Sequence, residues 1–353
     1  MRVLVLVALL LLTACSSPPG GERADAAEAG ERPPLSELTP LENPRAHEGP
    51  STALVADADV VPVERPVPVL PVTVTDNQDT EVTVTSADRI LALDVSGTLA
   101  ATVFGLGLGD RVVGRDVSTG FPSARHLPLV TVNGHQLNAE ALMGLKPTVV
   151  LTDTTLGPWD AVLQLRDAGV PVVVLDPKRD LSANAPIVRA VAKALGVPDT
   201  GEKLVRRMES EIAETIGQIG RLAPDDPARK LRVVFLYLRG QAGVYYLFGK
   251  GSGADSLIQA LGAVDVATES GLDGMRPINP EALAKAKPDV ILMMTDGLRS
   301  VGGVDNMMSV PGVAQTPAAQ KKRFVDMDDS VVLGFGPKTA AVLDGLARAL
   351  YAP

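Results

Sequence analysis

Asn138-Ala-Glu-Ala-Leu-Met-Gly-Leu-Lys-Pro-Thr-Val-Val-Leu151 returns as Asn279-Pro-Glu-Ala-Leu-Ala-Lys-Ala-Lys-Pro-Asp-Val-Ile-Leu292. Each copy reads as one helix followed by one strand. Asn138 and Asn279 stand at the N-cap, where a side-chain oxygen accepts from the free amides of the first turn. Glu140 and Glu281 follow where the helix dipole favours an anion, and Pro280 suits the first helical position. Pro147 and Pro288 then end the helix. The runs after them are nearly continuous in apolar residues, as parallel strands buried on both faces should be. A period of about 140 residues is far too long for a solenoid, so the copies imply two α/β lobes of one ancestry.

Between the copies, residues 186–195 read as a helix ending at Gly196-Val197-Pro198, and a second helix begins at Asp199 or Thr200. Leu204, Met208, Ile212, Ile216 and Ile219 recur at spacings of three and four, which marks one apolar face of a helix of about 20 residues. Such a helix spans about 30 Å. The expected fold is α/β: two Rossmann-like lobes with central parallel sheets, joined by one long α-helix. The N-terminal lobe is expected over 51–183, the linking helices over 184–222 and the C-terminal lobe over 223–353. A single rod between lobes permits little hinge bending, so a cleft between them should be largely pre-formed. Val and Thr alternate over 72–75 and 81–85 around Asp76-Asn77-Gln78-Asp79, a hairpin signal expected to decorate the edge of the first lobe.

The amino-terminal end decides the compartment. Met1 and Arg2 precede a short apolar run, Val3 to Leu12, and then Thr13-Ala14-Cys15. This is the pattern of a secretory signal, expected over 1–14. Its apolar run is too short for a bilayer core, which needs roughly 20 residues. Cys15 matches the bacterial lipobox, in which the thiol carries a diacylglycerol; otherwise it is a chance cysteine within a signal that is removed. Residues 16–50 are rich in Pro, Gly, Ala, Glu and Ser and lack the apolar surface to fold alone, so 15–50 reads as a lipid-anchored flexible tether. The expected location is the extracytoplasmic face of the bacterial cell membrane.

Cys15 is the only cysteine and there are three histidines, which excludes an internal disulfide and any multi-thiolate metal site. His47 falls in the tether, and His126 and His135 cannot alone supply a zinc or manganese site. A net charge of −9 without a basic run argues against nucleic acid and electrostatic membrane binding. Gly-x-Ser-x-Gly, Ser-x-x-Lys and His-Glu-x-x-His are all missing, so no hydrolase signature is present. Gly249-Lys-Gly-Ser-Gly253 lacks phosphate-loop spacing and reads as the opening of a helix from Ala254. The chain is therefore read as a binding protein and not an enzyme.

One pair of residues points to a ligand. In the strand Leu231-Arg-Val-Val-Phe-Leu-Tyr237-Leu-Arg239, Tyr237 and Arg239 project to the same face, and the end of a strand in an open α/β sheet borders the ligand crevice. A guanidinium beside a phenol favours the phenolate, a hard oxygen donor suited to ferric iron and a known axial ligand of haem. The alternative is a half-buried tyrosine with a surface arginine beside it. His135 lies three residues before the first copy of the repeat and Arg276 holds the equivalent place before the second, so both loops are expected at the crevice.

With these residues in hand, the chain resembles the haem-binding lipoproteins of bacterial haem ABC importers, in the helix-linked class of periplasmic binding proteins. The resemblance runs from about Thr73 to the C-terminus. It rests on Gly114-Arg-Asp-Val-Ser-Thr119, Leu127-Pro-Leu-Val-Thr131, Gly134-His-Gln-Leu-Asn-Ala-Glu140, Tyr237-Leu-Arg239, Gly251-Ser-Gly-Ala-Asp-Ser256 and Leu333-Gly-Phe-Gly-Pro337. It implies ferric haem b as the transported ligand, with His135 and Tyr237 as axial ligands on opposite faces and Arg239 in contact with the tyrosine. Met293 or Met294 would lie near the iron, and Arg276 at the rim is a candidate for the propionates. Lys338 departs from the expected Arg after Gly-Phe-Gly-Pro, which keeps the charge but loses a bidentate contact.

The resemblance further implies an ABC permease with its ATPase as partner, docking through one carboxylate per lobe, with Glu140 and Glu281 as candidates. Simple dipole complementation, at about 0.3–1 kcal/mol each, is the other use of those carboxylates. The membrane is reached through the lipid on Cys15, and the chain is expected to be a monomer. A siderophore or corrinoid carrier shares the fold, and an envelope enzyme on this scaffold is the more distant reading.

Overall fold

The Asn caps form as the repeat requires. In the computed structural model, which describes residues 32–55 and 59–353, the Asn138 and Asn279 side chains accept from Ala141 N and Ala282 N at 2.9 and 3.0 Å. Both helices are followed by a lysine in the left-handed region, Lys146 with φ 46° and Lys287 with φ 49°, directly before the two prolines. The signal region, Cys15 and the tether up to residue 31 lie outside the described residues.

In chain order, a turn of 3-10 helix (Leu35–Glu37) precedes strand β1 (Ser51–Ala53), and a separate antiparallel hairpin follows, β2 (Val72–Thr75) and β3 (Glu81–Val84). The first lobe comprises β4 (Ile90–Leu93), α1 (Thr98–Gly105), β5 (Thr131–Val132), β6 (Gln136–Leu137), α2 (Ala139–Gly144), β7 (Val149–Thr152), α3 (Trp159–Asp167) and β8 (Val172–Val174). Its sheet is all parallel, in the order β4-β7-β8. Every residue of these three strands is buried, as their unbroken apolar runs require.

Two helices follow, α4 (Asn184–Ala194), whose apolar face packs in the core of the first lobe, and α5 (Pro198–Leu222), which crosses between the lobes. Helix α4 starts two residues earlier than its sequence suggests, with Pro186 tolerated in the first turn. Helix α5 runs for 25 residues, about 37 Å. Leu204 and Met208 belong to the core of the first lobe and Ile219 and Leu222 to that of the second, while Ile212 touches both. One amphipathic face thus serves two cores.

The second lobe holds β9 (Arg232–Arg239), β10 (Val244–Phe248), α6 (Ala254–Ala260), β11 (Val264–Asp265), α7 (Val266–Glu269), β12 (Met275–Pro277), α8 (Pro280–Ala286), β13 (Val290–Met294), α9 (Thr295–Ser300), α10 (Pro317–Gln320), β14 (Phe324–Met327) and α11 (Thr339–Tyr351). The sheet order is β1-β14-β13-β9-β10-β12, with β11 on β9. Its centre is parallel, but β10 and β12 add antiparallel strands, so this sheet is mixed rather than purely parallel.

The expected boundary at residue 51 needs correction. Strand β1 pairs with β14 of the second lobe, and the stretch before it is docked on that lobe from residue 32, not free as a tether. Leu35 is buried there, Leu41 N donates to Tyr351 O at 2.8 Å, and Arg45 pairs with Asp289 at 2.8 Å. The composition argument fails here for a physical reason: a segment too poor in apolar residues to build a core can still insert a few leucines into one that exists.

The lobes are stitched together along residues 328–339. Asn184 Oδ1 accepts from Gly336 N at 2.7 Å and its amide donates to Thr339 Oγ1 at 3.1 Å, both buried. The Lys338 ammonium lies 5.6 Å from the Phe121 ring centroid and is itself buried. The Leu333 to Pro337 motif is therefore a joint between lobes, and Lys338 belongs to that joint.

Candidate functional site

Residues paired directly across neighbouring strands share a face, and alternate residues change face. Tyr237 pairs with Tyr246, Tyr246 with Pro277, and Leu292 with Phe235. Phe235, Tyr237 and Arg239 of β9 therefore share a face with Tyr246, Phe248, Met275 and Met294. Tyr237, half buried, stacks on Phe248 with centroids 6.1 Å apart and planes at 19°, and Phe248 leans on Phe235 at 5.0 Å.

This register separates the two methionines. Met294 lies partly buried on the Tyr237 side, whereas Met293 is fully buried in the cluster on the opposite face. Met293 is thus a core residue. Arg276 pairs with Leu247, which faces away from Tyr237, so its exposed side chain leaves the wrong face of the sheet; Met275, exposed at 57%, is the residue of β12 that shares the face of Tyr237.

Arg239 lies over the phenol. Its guanidinium carbon is 4.5 Å from the Tyr237 ring centroid, within the range of a cation–π contact. Nη1 donates to Leu238 O at 2.7 Å and Nη2 to Asp329 Oδ2 at 2.8 Å. Burial pushes the Asp329 carboxyl above its ordinary range, opposed by the Asp296 amide and by Arg239.

From the other lobe comes His135, in the loop of the β5–β6 hairpin. Asn133 and Gly134 turn the chain with φ of 48° and 88°, a conformation that Asn and Gly accept at low cost. The imidazole is open to water yet has enough protein around it that desolvation lowers its pKa; the charge of Arg239, from the second lobe, lowers it further. Both causes favour the neutral ring, the form that ligates metal.

Several apolar side chains of the first lobe stay exposed: Val95, Val117, Leu129 and, three residues before His135, Val132. They sit on loops tied to one another, with Val117 N donating to Thr131 Oγ1 at 3.1 Å and Ser118 Oγ to Val95 O at 2.6 Å. Sequence reasoning missed them, because single valines after buried strands carry no local mark. Clustered exposed apolar surface of this kind marks a binding surface.

Glu140 and Glu281 are both exposed in the first turns of α2 and α8, and neither makes an ion pair among the described residues. No group of three or more His, Cys, Asp or Glu among the described residues could hold a metal ion, and no helix among them is long and apolar enough to cross a membrane. A groove of about 520 Å³ between the segment from residue 32 and α11, lined by Arg32, His47, Thr52 and Arg348, contains neither His135 nor Tyr237.

Residues 94–331 match the periplasmic binding protein family. The solved haem-binding protein HmuT is 41% identical, covering 88% of this chain and 100% of that one with a TM-score of 0.83. It has also been solved with a histidine, a tyrosine or an arginine replaced. The periplasmic haem-binding protein RhuT from Roseiflexus sp. RS-1 is 36% identical over 75% of this chain and 98% of its own, with a TM-score of 0.68. An uncharacterized ABC transporter substrate-binding lipoprotein of Bacillus subtilis (strain 168), YvrC, is 25% identical over 80% of this chain and 86% of its own. Two α/β lobes on a shared helix, matched across both, make this chain a member of the periplasmic binding protein family, whose members are binding proteins and not enzymes.

Proposed function

We propose that this chain captures ferric haem b between its lobes, with the His135 imidazole and the Tyr237 phenolate as axial ligands on opposite faces, and delivers it to an ABC permease and its ATPase. The observation that carries this reading is the stacking of Arg239 on Tyr237 at the end of β9, with the guanidinium carbon 4.5 Å from the ring centroid. The Arg239 charge also stands, after desolvation, among the causes that lower the His135 pKa, which supports a cleft shared by the two donors. An oxygen donor and a neutral nitrogen donor suit ferric iron, and the exposed valines and leucine on one side with Tyr246, Met275 and Met294 on the other are apolar walls for a flat macrocycle. The haem-binding relatives support the same cargo.

Glu140 and Glu281, one per lobe and both without an ion pair among the described residues, are the proposed contacts with the permease. The protein is read as a monomer held by a lipid on Cys15 at the extracytoplasmic face of the cell membrane.

The test is a hemin titration of the chain from Ser16, followed by the Soret band, for the parent protein, His135→Ala and Tyr237→Phe. Weaker binding and a changed band in both variants are expected. Undiminished binding by His135→Ala would instead point to a cargo whose metal is already fully coordinated, a ferric siderophore or a corrinoid.

A further inference from the structure

We propose that Asp329 is the positioning residue of the cleft, holding Arg239 flat over Tyr237 so that the phenol presents one fixed pose to the cargo. The inference rests on the reading of Tyr237 as a ligand and adds a residue that acts on the tyrosine through Arg239.

Three contacts define where the guanidinium lies. The Leu238 carbonyl takes Nη1 at 2.7 Å, Asp329 Oδ2 takes Nη2 at 2.8 Å, and the Tyr237 ring lies 4.5 Å from the guanidinium carbon. The carbonyl is adjacent in sequence and the ring is a soft, non-directional partner, so among the described residues Asp329 supplies the charge-assisted, directional restraint from elsewhere in the fold. Asp329 is fixed in turn: the Asp296 amide, at the start of α9, donates to its Oδ1 at 2.8 Å. One residue further, Gly297 leaves the room that the guanidinium occupies, since an added Cβ would come 3.1 Å from Leu238 O and 3.4 Å from Arg239 Nη1. Asp296 itself is paired with Arg299 at 3.0 Å, so it does not compete for Arg239.

An unrestrained arginine samples many rotamers, and fixing it in advance removes that cost from binding. Asn at position 329 keeps the shape and can still accept from the Asp296 amide, but it turns an N–H toward Nη2 and ejects the guanidinium.

The experiment is a double-mutant cycle in the full chain, reading the rate of hemin loss to an excess of apomyoglobin and the visible charge-transfer bands. Asp329→Asn should release hemin about ten-fold faster, a coupling of ordinary size for contacting residues, and its bands should move toward those of Arg239→Ala. Asp329→Glu should recover part of both. In an Arg239→Ala background, Asp329→Asn should change nothing further. Parent-like rates and bands in Asp329→Asn, or full additivity with Arg239→Ala, overturn the proposal. If Asp329→Asn is poorly folded by circular dichroism, the Asp329→Glu rate decides: it must lie between the parent and Arg239→Ala. Failure of the underlying haem reading is distinct, because then Tyr237→Phe would bind hemin with the parent spectrum.

Discussion

Gly120 of the first lobe and Ser330 of the second stand so close that a Cβ added to the glycine would come 2.7 Å from the serine Oγ and 3.0 Å from its Cβ. Ser330 cannot swing away freely, because its amide and hydroxyl both donate to Asp328 at 2.9 and 2.6 Å. A larger side chain at 120 therefore acts as a wedge. Gly120→Leu is expected to part the lobes and weaken hemin binding by about 1–3 kcal/mol, the usual cost of overpacking, with Gly120→Ala intermediate. Equal affinities in a hemin titration of the three proteins would mean that the lobes yield elsewhere.

The two adjacent methionines should separate stability from binding. Met293→Ala empties a fully buried site and is expected to cost about 2–5 kcal/mol of unfolding free energy, while hemin spectra of the folded fraction stay unchanged. Met294→Ala should shift the hemin spectrum with a smaller loss of stability. Urea unfolding and the Soret region of both variants check this, and the reverse pattern would contradict the register of β13 on β9.

Charge reversal at the proposed docking carboxylates should leave the cargo site alone. Glu140→Lys and Glu281→Lys are each expected to keep parent hemin affinity and to reduce stimulation of the reconstituted transporter's ATPase, the double variant more than either single one. Each substitution also opposes the helix dipole, at about 0.3–1 kcal/mol, which thermal melts will register separately. Normal ATPase stimulation by the double variant would leave the carboxylates with dipole complementation alone.

A buried acid cluster gives the first lobe a pH signature. Asp116 is fully buried; desolvation, and then the charge of Asp94, push its carboxyl from 3.8 to about 7, against hydrogen bonds from the Asp94 amide and from the Thr119 amide and hydroxyl. Between those values the folded chain keeps a proton that the unfolded chain has released, so this group's contribution to stability falls as pH rises from about 4 to about 7. Asp153, also raised by burial and by Asp94, adds to the slope. Asp116→Asn is expected to flatten the decline in urea-unfolding free energy between pH 5 and 7.5 without abolishing it. Parallel profiles for the two proteins would remove Asp116 from the account.

Much of the fold was legible in the chain itself. The Asn caps, the Pro stops, the apolar face of the linking helix and the shared face of Tyr237 and Arg239 are all relations between residues a few positions apart, and the helical and strand periods fix them before any tertiary contact forms. What was left open or misplaced depended on which strand lies beside which. The side of β13 that Tyr237 shares, and so the choice of Met294 over Met293, follows from the pairing of Leu292 with Phe235. The same holds for Arg276, turned away because it pairs with Leu247.

The sequence by itself determined two lobes, their linking helix and the strand on which Tyr237 and Arg239 share a face, because these need only short-range geometry and hydrophobic periodicity. Only the tertiary structure decided that residues 32–53 belong to the second lobe and that Asp329 reaches Arg239. Those contacts join segments far apart in the chain. Their gain comes from long-range closure, which leaves no imprint in the local pattern of either segment.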